Sequence, residues 1–290
     1  MGVIGSLVMC LVFGALALPD AVAQGRGIGI SGSDTLVMLG QRWAEIYMKK
    51  NPGVRLQVSG GGSGVGIAAL INGSTDIAES SRPIKDAEKA QLKTKRNLDA
   101  VELPVALDGL AVYVHDSNPV RELTLEQLKK IYTGAVTNWK DVGGKDGRIL
   151  LYGRENSSGT YAYFKEHVLA DADYHPTTQT LPGTAAVISA VAKDARGIGY
   201  GGIAYLKGVR AVKVKKDAAS PGIEPTLDNV QKNIYPISRL LYWYFAGAPT
   251  GQIKQLADWV VSADGQAVVT DVGYYPLPAH LQGKGKLDKK

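Results

Sequence analysis

Short apolar segments that read as strands alternate with segments of helical period along most of this chain, and that alternation narrows the fold more than any other feature. Gly27 to Ile30 reads as a strand, and Leu36, Leu39, Trp43, Ile46 and Tyr47 follow at helical spacing until Asn51-Pro52-Gly53 stops them. Val54 to Val58 alternates as a strand, Val65 to Ile71 forms an apolar helix, Thr75 to Ala78 a strand and Asp86 to Arg96 a polar helix. Val101 to Val105 and Leu110 to Val114 read as two strands separated by Leu107-Asp108-Gly109. Thr124 with Gln127 makes a capping box for a helix ending near Thr133. Further strands are expected at Ile149 to Tyr152, Ile198 to Tyr200, Val209 to Val214 and Leu240 to Phe245. Helices are expected at Thr160 to Leu169, Gly183 to Lys193 and Gln252 to Val261, the last clear one. Repeated strand–helix–strand units imply an α/β protein with mostly parallel sheets.

The composition removes several classes of function. The single cysteine, Cys10, excludes a disulfide framework and any CxxC site, and the four histidines show no HExxH or HxH spacing for zinc. No metal and no cofactor are expected. Gly27 to Gly32 matches GxGxxG but precedes and enters the first strand, and Gly60 to Gly66 lacks the lysine of a phosphate loop. Neither serine turn fits GxSxG, so no catalytic residue is assigned. The basic clusters Lys93-Lys95-Arg96 and Lys213-Lys215-Lys216 lack interleaved aromatics, which argues against nucleic acid. The formal charge of +6 favours small anions.

The N-terminus reads as an export signal. Val3 to Leu18 is nearly all apolar, and Ala21-Val22-Ala23 is a small-x-small cleavage pattern before Gln24. Residues 1–23 are therefore assigned as a signal peptide, although no Lys or Arg precedes the apolar run. Val8-Met9-Cys10 lacks the small residue of a lipidation site, and cleavage would leave a cysteine-free chain suited to an oxidising compartment. The tail from Gly283 to Lys290 is basic and reads as frayed.

Three turns rich in small polar residues each feed a helix: Ser33-Asp34-Thr35-Leu36, Gly62-Ser63-Gly64 and Ser157-Ser158-Gly159-Thr160. A helix N-terminus presents unpaired N–H groups and a positive dipole end, and Ser or Thr adds hydroxyl donors. One such turn is ordinary capping; three at strand-to-helix junctions mark an anion site, because α/β sheets bind ligands there. Arg154, four residues before Ser158, is placed to grip an oxyanion through two parallel hydrogen bonds.

These motifs resemble the periplasmic phosphate-binding proteins of bacterial phosphate ABC transporters. The resemblance runs from about Gly29 to Pro278. It is carried by Gly32-Ser33-Asp34-Thr35-Leu36, Gly60 to Gly66, Asp76-Ile77-Ala78-Glu79-Ser80-Ser81-Arg82-Pro83 and Leu107 to Val112. Gly134 to Trp139, Arg154 to Thr160, Gly197 to Tyr200 and Tyr235-Pro236-Ile237-Ser238-Arg239 continue it. It implies a two-lobed periplasmic-binding-protein-like α/β fold of type II with a two-strand hinge. Lobe one is expected at 24–107 plus 237–290, and lobe two at 108–236. It also implies an exported monomer in the periplasm that captures inorganic phosphate and delivers it to a membrane ABC permease.

Carried over residue by residue, Thr35, the Leu36 amide and Ser63 would contact phosphate from one lobe, and Arg154, Ser158, Gly159 and Thr160 from the other. Two positions depart from the pattern. Ser81 stands where many members carry the acid that accepts the phosphate proton, and Asn156 where some carry Asp. Arg82 and Asp108 are expected to act together instead, Arg82 adding charge and Asp108 orienting it or accepting the ligand proton. The alternative is that Asp108 only caps a turn before Gly109. Strand alternation directs Glu79 away from the cleft. The rival readings are a receptor for sulfate or molybdate, an exported phosphoesterase, and an adhesion or signalling protein on the same fold.

Overall fold

The computed structural model describes residues 27–282, so the expected signal peptide and basic tail lie outside the described residues. The chain runs β1 (Ile28–Gly32), α1 (Val37–Lys50), β2 (Leu56–Ser59), α2 (Ser63–Asn72), β3 (Ile77–Ser80) and α3 (Asp86–Arg96). It continues through β4 (Ala100–Val114), β5 (Glu122–Thr124), α4 (Leu125–Tyr132), β6 (Leu150–Arg154), α5 (Gly159–His167), β7 (Gln179–Leu181) and α6 (Gly183–Lys193). Then follow β8 (Gly197–Gly202), β9 (Arg210–Ala211), β10 (Lys213–Lys215), α7 (Leu227–Gln231), β11 (Ser238–Ala246), α8 (Gly251–Val260) and α9 (Ala263–Val272).

One curled sheet runs through both lobes in the order β2-β1-β3-β11-β4-β8-β6-β7, with β9 beside β4. Within lobe one β1 pairs in parallel with β2 and β3, and within lobe two β6 pairs in parallel with β7 and β8. The strands that join the lobes are antiparallel, because β4 carries the chain out of lobe one and β11 brings it back. The expected mostly parallel sheet is thus parallel inside each lobe and antiparallel along the hinge.

The largest departure from the sequence reading lies in β4. Leu107-Asp108-Gly109 does not separate two strands: β4 is continuous over 15 residues, pairing with β11 from Ala100 to Gly109 and with β8 from Leu110 to Val114. Ladder hydrogen bonds on both sides override the local turn preference of Asp-Gly. The expected strand Val209 to Val214 is split, since β9 joins β4 and β10 pairs with β5 in a separate two-stranded sheet. A further helix, α9, follows the last one expected.

Each lobe buries its own core. In lobe one Leu39, Trp43 and Tyr47 of α1 pack on the sheet with Leu256 and Val260 of α8 and Val269 of α9. Ile67 and Leu70 of α2 cover the opposite face with Leu92 of α3. Trp43 meets Trp243 edge-on at 5.5 Å, and its indole N–H donates to Gly265 O at 2.8 Å. In lobe two α4 and α5 cover one face and α6 the other. The capping box forms as expected, with Gln127 N donating to Thr124 Oγ1 at 3.0 Å and Thr124 N to Gln127 Oε1 at 2.9 Å. Phe164 of α5 stacks on Tyr200 of β8 at 4.0 Å, which fixes the helix whose N-terminus faces the cleft.

Candidate functional site

The three serine-bearing turns meet between the lobes. The turn after β1 opens α1, Ser63 is the first residue of α2, and Ser158 caps α5 by accepting from Tyr161 N at 3.3 Å. The positive ends of three helices therefore converge on one place.

Five buried hydroxyl groups lie among them. Thr35 Oγ1 of lobe one is 2.8 Å from Thr160 Oγ1 of lobe two. Ser33 Oγ donates to Ser81 Oγ at 3.0 Å, and Ser81 Oγ lies 3.3 Å from Ser63 Oγ and 3.4 Å from Thr160 Oγ1. Gly159 sits so close that a Cβ there would stand 2.3 Å from Ser63 Oγ, so this position accepts no side chain. The sequence-expected Thr35, Ser63, Ser81, Gly159 and Thr160 are thus brought together, with Ser158 beside Gly159 and its hydroxyl engaged in capping α5. The Leu36 amide is engaged differently: it donates to Ser33 O at 2.9 Å, closing its own turn.

Arg154 ends β6 and is 3% exposed. Its Nη2 donates to Asp34 Oδ2 at 2.7 Å and its Nη1 to Thr184 Oγ1 at 3.0 Å, while its buried Nε has no partner. Asp34 was not singled out from the sequence. It belongs to lobe one, where its other carboxylate oxygen accepts from Gly61 N at 3.0 Å. The counter-charge that Asn156 lacks is therefore supplied across the cleft. Backbone contacts close the same seam: Gly64 N donates to Ser157 O at 2.9 Å. Gly62 adopts φ 99°, and a Cβ on it would meet Ser157 O at 2.7 Å.

The expected pairing of Arg82 with Asp108 is not formed. Arg82 turns onto α3, where Nη1 and Nη2 donate to the two carboxylate oxygens of Glu88 at 2.8 and 2.6 Å. A bidentate partner six residues away, in the first turn of the helix that follows, outcompetes a carboxylate in the hinge. Asp108, fully buried in mid-strand, is no turn cap either: its Oδ1 accepts from Ile203 N at 3.0 Å. Its Oδ2 accepts from Nε and Nη2 of Arg239 at 2.9 and 2.7 Å. Arg239 was quoted from the sequence only as part of a motif. The available signal was a lone cation in strand β11, matching the one buried acid of β4.

Glu79 points away from the cleft, as alternation requires. It is buried against α1, and burial pushes its carboxyl up to about 8, against the lowering effect of the Trp243 N–H bond at 3.1 Å. A groove of about 660 Å³ lies elsewhere, running past Arg121, Arg210 and Tyr275.

Two α/β lobes on a two-strand hinge, with polar loops converging between them, are the architecture of the PBP superfamily domain, whose profile matches residues 19–264. The phosphate-binding protein PstS of Pseudomonas aeruginosa is 36% identical over 288 residues, covering 92% of this chain and 89% of that protein. Its namesake from Bacillus subtilis is 34% identical over 250 residues, covering 86% and 80%. Among solved structures, a Clostridium perfringens protein is assigned as a phosphate ABC transporter substrate-binding protein and holds phosphate. It matches with a TM-score of 0.79 at 32% identity, over 87% of this chain and all of that one. An ABC-type phosphate transport receptor from Vibrio cholerae matches with a TM-score of 0.70 at 31% identity, over 87% and 100%. The chain belongs to the PstS family of phosphate-binding proteins.

Proposed function

We propose that this protein captures inorganic phosphate between its lobes, with Arg154 and the hydroxyl cluster as the site, and delivers it to a membrane ABC permease. The observation that carries this reading is Arg154. A buried guanidinium with an unpartnered Nε calls for an acceptor, since a buried donor left unmade is costly. It ends the strand whose following loop supplies Ser158, Gly159 and Thr160. A tetrahedral oxyanion offers acceptors in every direction and suits donors converging from both lobes. Relatives that are named for phosphate binding support the choice of anion.

The protein then works by closure, each lobe contributing part of the shell. Lobe one takes 24–107 plus 237–290 and lobe two 108–236. Export through cleavage after Ala23, a periplasmic location and a monomeric state complete the proposal. Among the described residues no helix is long and apolar enough to cross a membrane. The protein binds without turning its ligand over.

Isothermal titration of refolded, phosphate-stripped protein with phosphate and sulfate tests the reading. Saturable phosphate binding with weaker sulfate binding is expected, together with no hydrolysis of aryl phosphates. Preferential binding of sulfate, or no response to phosphate, would overturn it.

A further inference from the structure

Arg239 stands directly opposite Asp108 in the antiparallel register of the two hinge strands. It is 5% exposed, and its guanidinium carbon lies 5.4 Å from the centre of the Tyr163 ring. A guanidinium carries five N–H donors. Four of these are placed. Nε and one Nη2 hydrogen go to Asp108, the other Nη2 hydrogen to Thr160 Oγ1 at 3.1 Å, and one Nη1 hydrogen to Ser81 O at 3.1 Å.

Those partners sit in three different parts of the machine. Asp108 belongs to the hinge, Ser81 to lobe one and Thr160 to lobe two. A rotation that separates the lobes moves Ser81 away from Thr160, so one guanidinium holds both only in the closed form. The contact to Thr160 also fixes a proton. A hydroxyl has one hydrogen to give, and accepting from a cation both orients and polarises it. With Arg239 filling one acceptor position of Thr160 Oγ1, the Thr160 hydrogen points away from Arg239 and into the site.

Resting on the phosphate reading, we propose that Arg239 is a positioning residue for the bound anion. Held by Asp108, it turns the Thr160 hydroxyl into a donor and ties Ser81 to Thr160 when the lobes close. A hinge-stabilising ion pair with no such role would contribute to folding alone.

The test is a double-mutant cycle on the full chain, read by titration with inorganic phosphate. Arg239→Lys keeps the charge but not the planar fork, and about a tenfold or greater loss of affinity is expected. In a Thr160→Val background the same change should cost less than about threefold, because the hydroxyl it orients is gone. Where circular dichroism shows Arg239→Lys unfolded, the neutral pair Arg239→Gln with Asp108→Asn replaces it in the same cycle. Losses that add, with or without Thr160, would overturn the proposal while leaving phosphate binding intact. A wild-type protein that gives no phosphate isotherm would instead overturn the functional reading beneath it.

Discussion

Replacing Arg154 by alanine removes the charge around which the proposed site is arranged. Its side chain is 1% exposed and forms its ion pair at 2.7 Å with an Asp34 that keeps 21% exposure. Truncating one side of a buried charged pair costs about 2–5 kcal/mol in binding. The upper part of that range is expected here, because the substitution also strands Asp34 beside the incoming anion. At about 1.4 kcal/mol per decade, a loss of about 3–5 kcal/mol is a Kd weaker by roughly a hundredfold to several thousandfold. Titration calorimetry on phosphate-stripped protein measures it, with circular dichroism to confirm folding. Arg154→Ala combined with Asp34→Ala should recover part of the loss, since the repelling carboxylate is then absent. A folded Arg154→Ala protein that binds phosphate within about threefold of wild type would refute the assigned site.

Three other outcomes follow from the geometry. Glu79 is protonated in the folded state up to about pH 8 but ionises near 4.5 when unfolded, so the folded state holds the extra proton between those values. Stability should therefore fall as pH rises from 4.5 to 8 and level off above, by at most about 5 kcal/mol at about 1.4 kcal/mol per pH unit; Glu79→Gln should flatten this profile in thermal melts, and an unchanged profile would sink the assignment. Gly62→Ala should leave the fold in place yet weaken phosphate binding about tenfold or more, because the added Cβ meets Ser157 O across the cleft; undiminished affinity would show that the seam does not close on the ligand. Arg82→Ala should lower the melting temperature through lost Glu88 contacts while leaving phosphate affinity within about threefold, and a large affinity loss would return Arg82 to the site.

What the sequence revealed was local, and what it hid was long-range. The serine turns and the Thr124–Gln127 box were legible because a helix start is written in four adjacent residues. The break expected at Leu107-Asp108-Gly109 failed because β11 pairs with that segment from 131 residues away. The same separation hid Arg239 as the partner of Asp108, and Asp34 with Arg154 are 120 residues apart. Arg82 was misplaced for a nearer reason: α3 begins four residues further on and offers it Glu88. The ninth helix went unread because Ser262-Ala263-Asp264-Gly265 looks like a loop, although Ser262 caps it.

The path of the chain through the hinge also governs when the protein can fold. Lobe one is made from two distant stretches, and β3 gains its neighbour β11 only once Tyr242 to Tyr244 have been added. Until then β3 presents an unpaired edge, and α1 lacks α8 and α9, whose side chains complete its core. The early stretch is left short of the burial that ordering its backbone requires. Completion of lobe one therefore waits until almost the whole polypeptide exists, a constraint set by topology.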